Sequence, residues 1–206
     1  MAENNTELCK LFEFYGADKC DNIFHTYSKL YYSIFLPVKE KVLNFLEIGI
    51  GTNKLMSPIV GNHYKEGASL RAWRDFFINA TIYGIDIEKA VLFEEERIKC
   101  YYSDQSNQLI LNKTVEKIFN DNDISCFDVI LDDGSHLLDH MICSLNTLSK
   151  FLPMHGIYIV EDIQNNDMSK LLNNIPPWLK TTCIYSGNLN KAKTQDNFIM
   201  LQKIKQ

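Results

Sequence analysis

From residue 42 onward, short apolar segments alternate with amphipathic ones, and this alternation constrains the fold more than any other feature. Several of the apolar segments are continuous runs rich in β-branched or aromatic residues, typical of strands buried on both faces of a sheet. Strands that alternate with helices predict βαβ units around a parallel sheet. The predicted strands are residues 42–48, 81–87, 98–102, 127–131, 156–160, 182–185 and 198–203, and the predicted helices between them are 69–78, 108–119, 137–152 and 168–172.

The last two predicted strands differ from the others, because only a polar loop with Gly187 and several Asn and Lys residues separates them. A polar loop of this length predicts an antiparallel hairpin at the edge of the sheet. A parallel sheet that ends in such a hairpin resembles the class I methyltransferase fold and differs from the dinucleotide-binding dehydrogenases. We therefore expect a Rossmann-like α/β fold with a seven-stranded, mostly parallel sheet and helices on both faces.

Composition excludes several classes of protein. The 206 residues are 46% hydrophobic, which suits one globular domain with a sizeable core. A net charge of −5 without a basic run argues against nucleic acid as a partner. The polar, acidic N-terminus does not resemble a signal peptide, and no apolar run approaches the roughly 20 residues that span a bilayer, so we expect no membrane partner. Six dispersed cysteines without metal-ligand spacing predict reduced thiols and a cytoplasmic location.

The first predicted strand ends in Glu47, and glycines follow at positions 49 and 51. Glycines directly after a buried strand let the backbone turn tightly and approach a ligand closely. A dehydrogenase would also offer this spacing, but Lys54 stands where its third glycine would be. The pattern is similar to the E/DxGxG motif of class I methyltransferases, which implies that Glu47, Gly49 and Gly51 bind S-adenosylmethionine (SAM). Residues 42–206 would then form the SAM-binding methyltransferase domain.

Asp86, followed by Ile87, ends the second predicted strand, where an acidic side chain can accept hydrogen bonds from ribose hydroxyls. Gly51 and Asp86 are 35 positions apart, whereas about 20 is usual. We attribute the excess to an inserted loop over residues 53–67. The helix that follows begins near Ser69, where free N–H groups could meet the carboxylate of the cofactor.

Asp104 and Gln105 follow the third predicted strand. In a methyltransferase of this class the position faces adenine, which makes Asp104 a candidate acceptor for the adenine amino group. The alternative is an ordinary polar turn.

Two successive predicted strands each run directly into a pair of carboxylates, Asp132-Asp133 and Glu161-Asp162, and His136 follows the first pair. Adjacent parallel strands lie about 4.8 Å apart, so both pairs should open at the same edge of the sheet. Four carboxylates in one cleft repel one another unless cations neutralise them or some stay protonated. A hard divalent cation such as Mg²⁺ suits such oxygen ligands. The alternative is that Asp132 and Glu161 cap helices while the others face solvent.

Residues 1–41 precede the first strand and contain predicted helical pieces around residues 7–14, 27–35 and 37–41. Aromatic residues recur there with roughly helical spacing, and two interpretations are open. The aromatic stripe either packs against the sheet or forms a lid over the substrate cleft. Its members are Phe24, Tyr27, Tyr31, Tyr32 and Phe35.

Over about residues 15–203 the chain resembles the metal-dependent macrolide sugar O-methyltransferases. The resemblance implies that Asp133, Glu161 and Asp162 hold the metal and that His136 is the general base. We assign Asp133 to catalysis as well, and Asp132 to the cofactor site. The motifs that carry the resemblance are residues 16–19, 25–27, 45–51, 67–73, 83–87, 132–136 and 161–162.

The expected activity is SAM-dependent and Mg²⁺-dependent methylation of a hydroxyl on a sugar, nucleotide-sugar or glycosylated small molecule, with His25 and Tyr27 as substrate contacts. The macrolide enzymes have an extra N-terminal domain that assembles their oligomer. We see no counterpart to it here, so the resemblance leaves the acceptor and a homo-oligomer open.

Three alternatives are open at this point. A cephalosporin hydroxylase-like protein would use non-haem iron, but the expected motif of two histidines and a carboxylate is missing from the sequence. A non-catalytic SAM-binding module is disfavoured by the retained carboxylates and His136. A nicotinamide-dependent dehydrogenase is disfavoured by the incomplete glycine signature and the hairpin.

Overall fold

The computed structural model describes residues 5–20, 23–61, 64–188 and 195–205, and in these ranges eight strands form one sheet. The strand order is β3-β4-β2-β1-β5-β6-β8-β7. The five central strands pair in parallel, whereas β3, β7 and β8 pair antiparallel. The strands are β1 Asn44–Ile48, β2 Thr81–Asp86, β3 Glu94–Glu95, β4 Ile98–Tyr102, β5 Val129–Asp132, β6 Ile157–Val160, β7 Leu179–Asn188 and β8 Gln195–Lys203.

Helices cover both faces of the sheet, because each side of the parallel strands is apolar. Helices α1, α2 and α4 share one buried core with one face, and α5, α6 and α7 share a second core with the other. None of the helices in the described ranges is long and apolar enough to cross a membrane. The helices are α1 Glu7–Tyr15, α2 Ser28–Phe35, α3 Asn53–Val60, α4 Ala68–Phe76, α5 Gln108–Asn122, α6 Leu138–Leu148 and α7 Met168–Asn173.

The predicted α/β fold with a mostly parallel sheet and a C-terminal hairpin is confirmed. The predicted strand count is one too low, because β3 is a two-residue charged strand without an apolar pattern. The loop of the hairpin, residues 189–194, lies outside the described residues.

The segment predicted as an inserted loop contains α3 instead. The Thr52 hydroxyl caps this helix by accepting a hydrogen bond from the N–H of Leu55 at 3.2 Å. Pro58 lies inside the helix, where proline is normally disfavoured, and it obscured the helix in the sequence. Residues 62–63 of this segment lie outside the described ranges.

The N-terminal aromatic stripe packs into the core on one face of the sheet. Tyr27, Tyr31 and Phe35 are all buried. The rings of Tyr31 and Phe35 meet Trp73 of α4 edge-on, with centroids 5.4 and 5.8 Å apart. Phe24, by contrast, lines the cleft described below. Packing therefore accounts for most of the stripe.

Two phenylalanines of α1 provide a matched test of this packing. Phe12 is fully buried against Trp73, with ring centroids 5.0 Å apart, whereas Phe14 is 79% exposed. We expect Phe12→Ala to lower the free energy of unfolding by about 3–5 kcal/mol because it leaves a cavity between α1 and α4. Phe14→Ala should change it by no more than about 0.5 kcal/mol. Urea unfolding followed by circular dichroism measures both, and equal losses would contradict the placement of α1 in the core.

Candidate functional site

The carboxyl ends of β1, β5 and β6 lie side by side, because the parallel hydrogen-bond ladder continues past each strand. The N–H of Asp133 donates to the carbonyl of Ile48, and the N–H of Glu161 donates to the carbonyl of Asp132, both at 3.0 Å. The register also pairs Asp132 with Val160. The two acidic pairs therefore open at the same edge of the sheet.

The turn after β1 depends on glycine. Gly49 has a φ of +94°, and a Cβ there would stand 2.1 Å from the carbonyl oxygen of Asp133. Gly51 has a φ of +81°, and its Cβ would stand 2.4 Å from the hydroxyl of Tyr64. L-residues rarely adopt such angles, and neither position has room for a side chain. Gly49 thus brings the backbone against the loop that carries the first acidic pair, and Gly51 brings it against Tyr64.

A cleft of about 890 Å³ runs along this edge. Its volume lies within the range of about 300–1,000 Å³ typical of small-molecule sites. The cleft joins the residues predicted for the cofactor to the acidic loops without interruption. The predicted site residues that line it are His25, Gly49, Gly51, Ser69, Asp86, Ile87, Asp104, Gln105, Asp133, His136 and Asp162.

Backbone hydrogen bonds orient the two carboxylates at the cofactor end. Asp86 accepts from the N–H groups of Ile50 and Glu88, both at 2.8 Å. Asp104 accepts from the hydroxyl of Ser106 at 2.6 Å and from its N–H at 2.9 Å, and these bonds lower the pKa of Asp104. A carboxylate has about four acceptor positions, so both groups retain capacity for further hydrogen bonds. Their contacts with ribose and adenine stay predictions.

Asp132 lies beneath the cleft wall and organises the loop above it. Its carboxylate accepts from the amide of Gln105 at 2.5 Å and from the hydroxyl of Ser144. The Gln105 amide oxygen in turn accepts from the N–H of Ser135 at 3.0 Å. Burial raises the pKa of Asp132 to about 6 despite these hydrogen bonds. Direct contact of Asp132 with the cofactor stays a prediction, since its side chain is almost completely buried.

Lys19 is the buried cation of the site. Its Nζ lies 2.6 Å from Asp133 Oδ2, 2.5 Å from Glu161 Oε2 and 3.9 Å from Glu47 Oε1, and the side chain is only 2% exposed. Burial alone would lower the pKa of Lys19, but the charges of Asp133, Glu161 and Glu47 raise it well above its usual value. The ammonium therefore stays charged.

Tyrosines of the N-terminal segment hold the second acidic pair. The hydroxyl of Tyr31 donates to Glu161 Oε1, and the hydroxyl of Tyr27 donates to Asp162 Oδ1 at 2.6 Å. Burial raises the pKa of Glu161 to about 8, against the effect of Lys19. Tyr27 was expected to contact the substrate, but its side chain is fully buried and orients Asp162.

His25 does line the cleft, and it lies between two carboxylates there. Its Nε2 is 3.6 Å from Asp18 Oδ2 and 3.5 Å from Asp162 Oδ2. The imidazole also stacks on Tyr27, with centroids 5.0 Å apart. A contact between His25 and a substrate stays a prediction.

Asp133, His136 and Asp162 form an open cluster, with one ligand atom from each residue all within 4.8 Å of one another. His136 Nε2 lies 3.3 Å from Asp133 Oδ1 and 3.8 Å from Asp162 Oδ2. Burial would lower the pKa of His136, but the hydrogen bond and charge of Asp133, with the charge of Asp162, raise it to about 9. Burial would raise the pKa of Asp133, but Lys19 and His136 hold it well below its usual value.

The open cluster of Asp133, His136 and Asp162 differs in one residue from the predicted set of metal ligands. The family resemblance implies Glu161 as a metal ligand, but one of its oxygens contacts Lys19 and the other Tyr31, and its side chain is fully buried. His136 occupies the third position of the open cluster instead. Asp133 and Asp162 belong to both sets.

Two residues of this cluster have left-handed backbones, with φ of +57° at His136 and +52° at Asp162. Non-glycine residues are uncommon in this region, and such conformations concentrate at functional sites. Each residue follows the end of one of two neighbouring strands, β5 and β6. This conformation turns the chain sharply just after each strand and contributes to the shape of the cleft edge.

Sequence reasoning missed the roles of Lys19 and Tyr31. Lys19 stands in one of the motifs of the family resemblance, at residues 16–19, but received no function. A usable signal existed, because several carboxylates at one sheet edge require a cation. Lys19 meets this requirement at Asp133 and Glu161.

Comparisons with solved structures define the class of fold. The MycE methyltransferase from the mycinamycin biosynthetic pathway, in complex with Mg, SAH and mycinamycin VI, has a TM-score of 0.71 with this chain at 22% identity, over 98% of this chain and 56% of that one. The N-methyltransferase NodS from Bradyrhizobium japonicum has a TM-score of 0.55 at 10% identity, over 91% of this chain and 99% of NodS. The chain therefore has the Rossmann-like methyltransferase fold that the sequence predicts.

Comparisons of sequence show which group of methyltransferases the chain is similar to. The chain is 32% identical over 152 residues to the 8-demethyl-8-alpha-L-rhamnosyl tetracenomycin-C 2'-O-methyltransferase of Streptomyces olivaceus, which covers 74% of this chain and 36% of that enzyme. It is 31% identical over 139 residues to the mycinamicin VI 2''-O-methyltransferase of Micromonospora griseorubida, over 68% of this chain and 32% of that enzyme. The resemblance to sugar O-methyltransferases is confirmed, and these enzymes are homologues of the chain.

The chain spans about a third of the length of these curated relatives. No family model matches it.

The left-handed backbone at His136 predicts that glycine is more stable than alanine at this position, whereas the reverse should hold at His140 nearby. His136→Gly should be about 1 kcal/mol more stable than His136→Ala, because glycine adopts positive φ without a steric cost. His140 lies in α6, so His140→Gly should be about 0.5–1 kcal/mol less stable than His140→Ala. Urea unfolding of the four variants measures both differences. The same sign at both positions would contradict the backbone conformation at His136.

Proposed function

We propose that this chain is a SAM-dependent and Mg²⁺-dependent O-methyltransferase that acts on a hydroxyl of a sugar, nucleotide-sugar or glycosylated small molecule. The observation that carries the proposal is the single cleft that joins the glycine turn after β1 to the open cluster of Asp133, His136 and Asp162. The names of the homologues support a sugar-bearing acceptor, since they include a rhamnosyl tetracenomycin C and mycinamicin VI.

The residues present fit SAM. Gly49 and Gly51 line the cleft without side chains, so a ligand there can pass close to the main chain. Ser69 lines the cleft at the start of α4, where free N–H groups favour a carboxylate. Asp86 would accept from the ribose hydroxyls and Asp104 from the adenine amino group.

The donor set also fits a hard divalent cation. Asp133 and Asp162 offer carboxylate oxygens at the cleft edge, and such oxygens are the ligands that Mg²⁺ prefers. Glu161, the third ligand implied by the family resemblance, stands directly before Asp162 but contacts Lys19 and Tyr31. We therefore assign the cation mainly to Asp133 and Asp162.

When bound, SAM supplies the activated methyl group, and Mg²⁺ lowers the pKa of the acceptor hydroxyl and orients it. His136 accepts the proton of that hydroxyl, with its ring oriented by Asp133 at 3.3 Å. The side chain of His136 is 37% exposed, so an acceptor in the cleft can reach it. The charges on Asp133 and Asp162 that raise the pKa of His136 would be neutralised by a divalent cation held by these two residues. The imidazole would then be neutral and able to take up the proton.

The proposal is tested by supplying SAM with a panel of nucleotide-sugars and rhamnosylated or otherwise glycosylated small molecules. Mass spectrometry follows S-adenosylhomocysteine and the methylated acceptor. We expect both products in the presence of Mg²⁺, their loss with EDTA, and their return when excess Mg²⁺ is added. Calorimetry with SAM and with NAD provides the control. SAM binding without turnover on any acceptor would favour a non-catalytic module, and NAD binding would favour a dehydrogenase.

His136 and His140 both line the cleft and form a matched pair for the catalytic assignment. We expect His136→Ala to lower kcat by at least about 10²-fold, because no other group takes the proton, while SAM affinity stays near that of the wild type. His140→Ala should retain most activity, since among the described residues His140 Nδ1 hydrogen-bonds the hydroxyl of Ser135, at 2.8 Å, and not a carboxylate of the cluster. Retained turnover in His136→Ala would refute the role of His136.

A further inference from the structure

The acidic edge has an inner half and an outer half, and Asp133 separates them. Asp133 Oδ2 faces inward to Lys19 at 2.6 Å, whereas Oδ1 faces His136 in the cleft at 3.3 Å. Behind Asp133 lie Glu47 and Glu161, both fully buried and absent from the cleft wall. A cation that enters through the cleft therefore meets the outer oxygens first.

Glu47 shows why the inner half needs a cation of its own. Its carboxylate oxygens make no close hydrogen bond among the described residues, only a weaker interaction with the side chain of Ser69, and its one ion pair there is with Lys19, at 3.9 Å. An isolated buried carboxylate costs several kcal/mol, and such groups either pair with a cation or become protonated. Burial raises the pKa of Glu47 well above its usual value, against the effect of Lys19.

Lys19 is also anchored where it cannot easily leave. The backbone on either side of it is tied to the same segment, since the carbonyl of Asp18 accepts from the N–H of His25 at 2.7 Å and the carbonyl of Lys19 accepts from the N–H of Ser28 at 3.0 Å. Ser28 begins α2, which is packed into the core. The ammonium is thus held by the fold beside the carboxylates.

We propose that Lys19 is a fixed counter-cation, a positioning residue that neutralises the inner half of the acidic edge and confines a divalent cation to Asp133 Oδ1 and Asp162. The role of Lys19 in folding is independent of the methyltransferase activity, whereas the confinement of the cation rests on the proposed function. Two consequences follow. The fold does not need a divalent cation, and removal of Lys19 opens the inner carboxylates to one.

The test compares Lys19→Met with Lys19→Arg and with Lys170→Met. Methionine keeps much of the length of lysine without its charge, arginine keeps the charge, and Lys170 is an exposed lysine paired with Asp167. Thermal unfolding with EDTA and with Mg²⁺ measures stability, and calorimetry with Mg²⁺ measures affinity. None of these readouts requires an acceptor or turnover.

We expect wild type and Lys170→Met to be folded in EDTA and to gain little stability from Mg²⁺. Lys19→Met should have a lower Tm in EDTA and regain much of the loss with Mg²⁺. Its affinity for Mg²⁺ should be at least about tenfold higher than that of the wild type, since a repelling charge is gone and Glu161 is released. Lys19→Arg should behave more like the wild type than like Lys19→Met.

A Lys19→Met variant with wild-type stability in EDTA, or with unchanged or weaker Mg²⁺ affinity, would overturn the inference. If Lys19→Met does not fold, Glu47→Gln is added to it, because removing the buried carboxylate should then restore folding. Failure of this double variant to recover would also overturn it. An absence of methyl transfer by the wild type would instead contradict the proposed function and leave the folding result standing.

Discussion

The structure depends on one electrostatic arrangement, in which a buried lysine of the N-terminal segment lies among carboxylates of the sheet edge. Lys19 contacts Asp133 of the β5 loop and Glu161 of the β6 loop, and it lies within 4 Å of Glu47 on β1. Three adjacent strand ends thus share one cation. Removing Lys19, or one of the carboxylates that it contacts, would leave an uncompensated charge in the core. Such a charge destabilises the fold by more than the ion pair stabilises it. The N-terminal segment is consequently an integral part of the site as well as of the core.

In this arrangement the carboxylates have two different roles. Those that face inward hold the segments together through Lys19 and Tyr31, while Asp133 and Asp162 present oxygens to the cleft. Asp133 takes part in both, with one oxygen in each half. The left-handed backbones at His136 and Asp162 turn the chain sharply beside that boundary. Asp133, which helps to hold the sheet edge together, therefore also lines the proposed site, and strongly shifted pKa values are common at such sites.

The relation to the sugar O-methyltransferases spans about a third of their length. In this chain, the glycine turn, the acidic pairs and the N-terminal partners of the carboxylates lie around one cleft edge. Helix α3 adds a wall to the cleft, with Leu55, Met56 and Ile59 along it. Because these apolar side chains line the cleft, they can influence which molecules enter it.

The layered fold could be predicted from the sequence alone, because buried parallel strands need continuous apolar runs and the final hairpin needs a polar turn. The sequence also indicated where the acidic edge would form, since residues after neighbouring parallel strands must lie together. It did not reveal α3, where Pro58 opposes the local preference for helix, or β3, which has no apolar pattern. Packing in three dimensions sets which carboxylates contact Lys19 and which line the cleft, and it gives Asp133 one oxygen on each side. That choice depends on contacts such as the one between residues 19 and 161, which are distant in sequence and are brought together by packing of the N-terminal segment on the sheet.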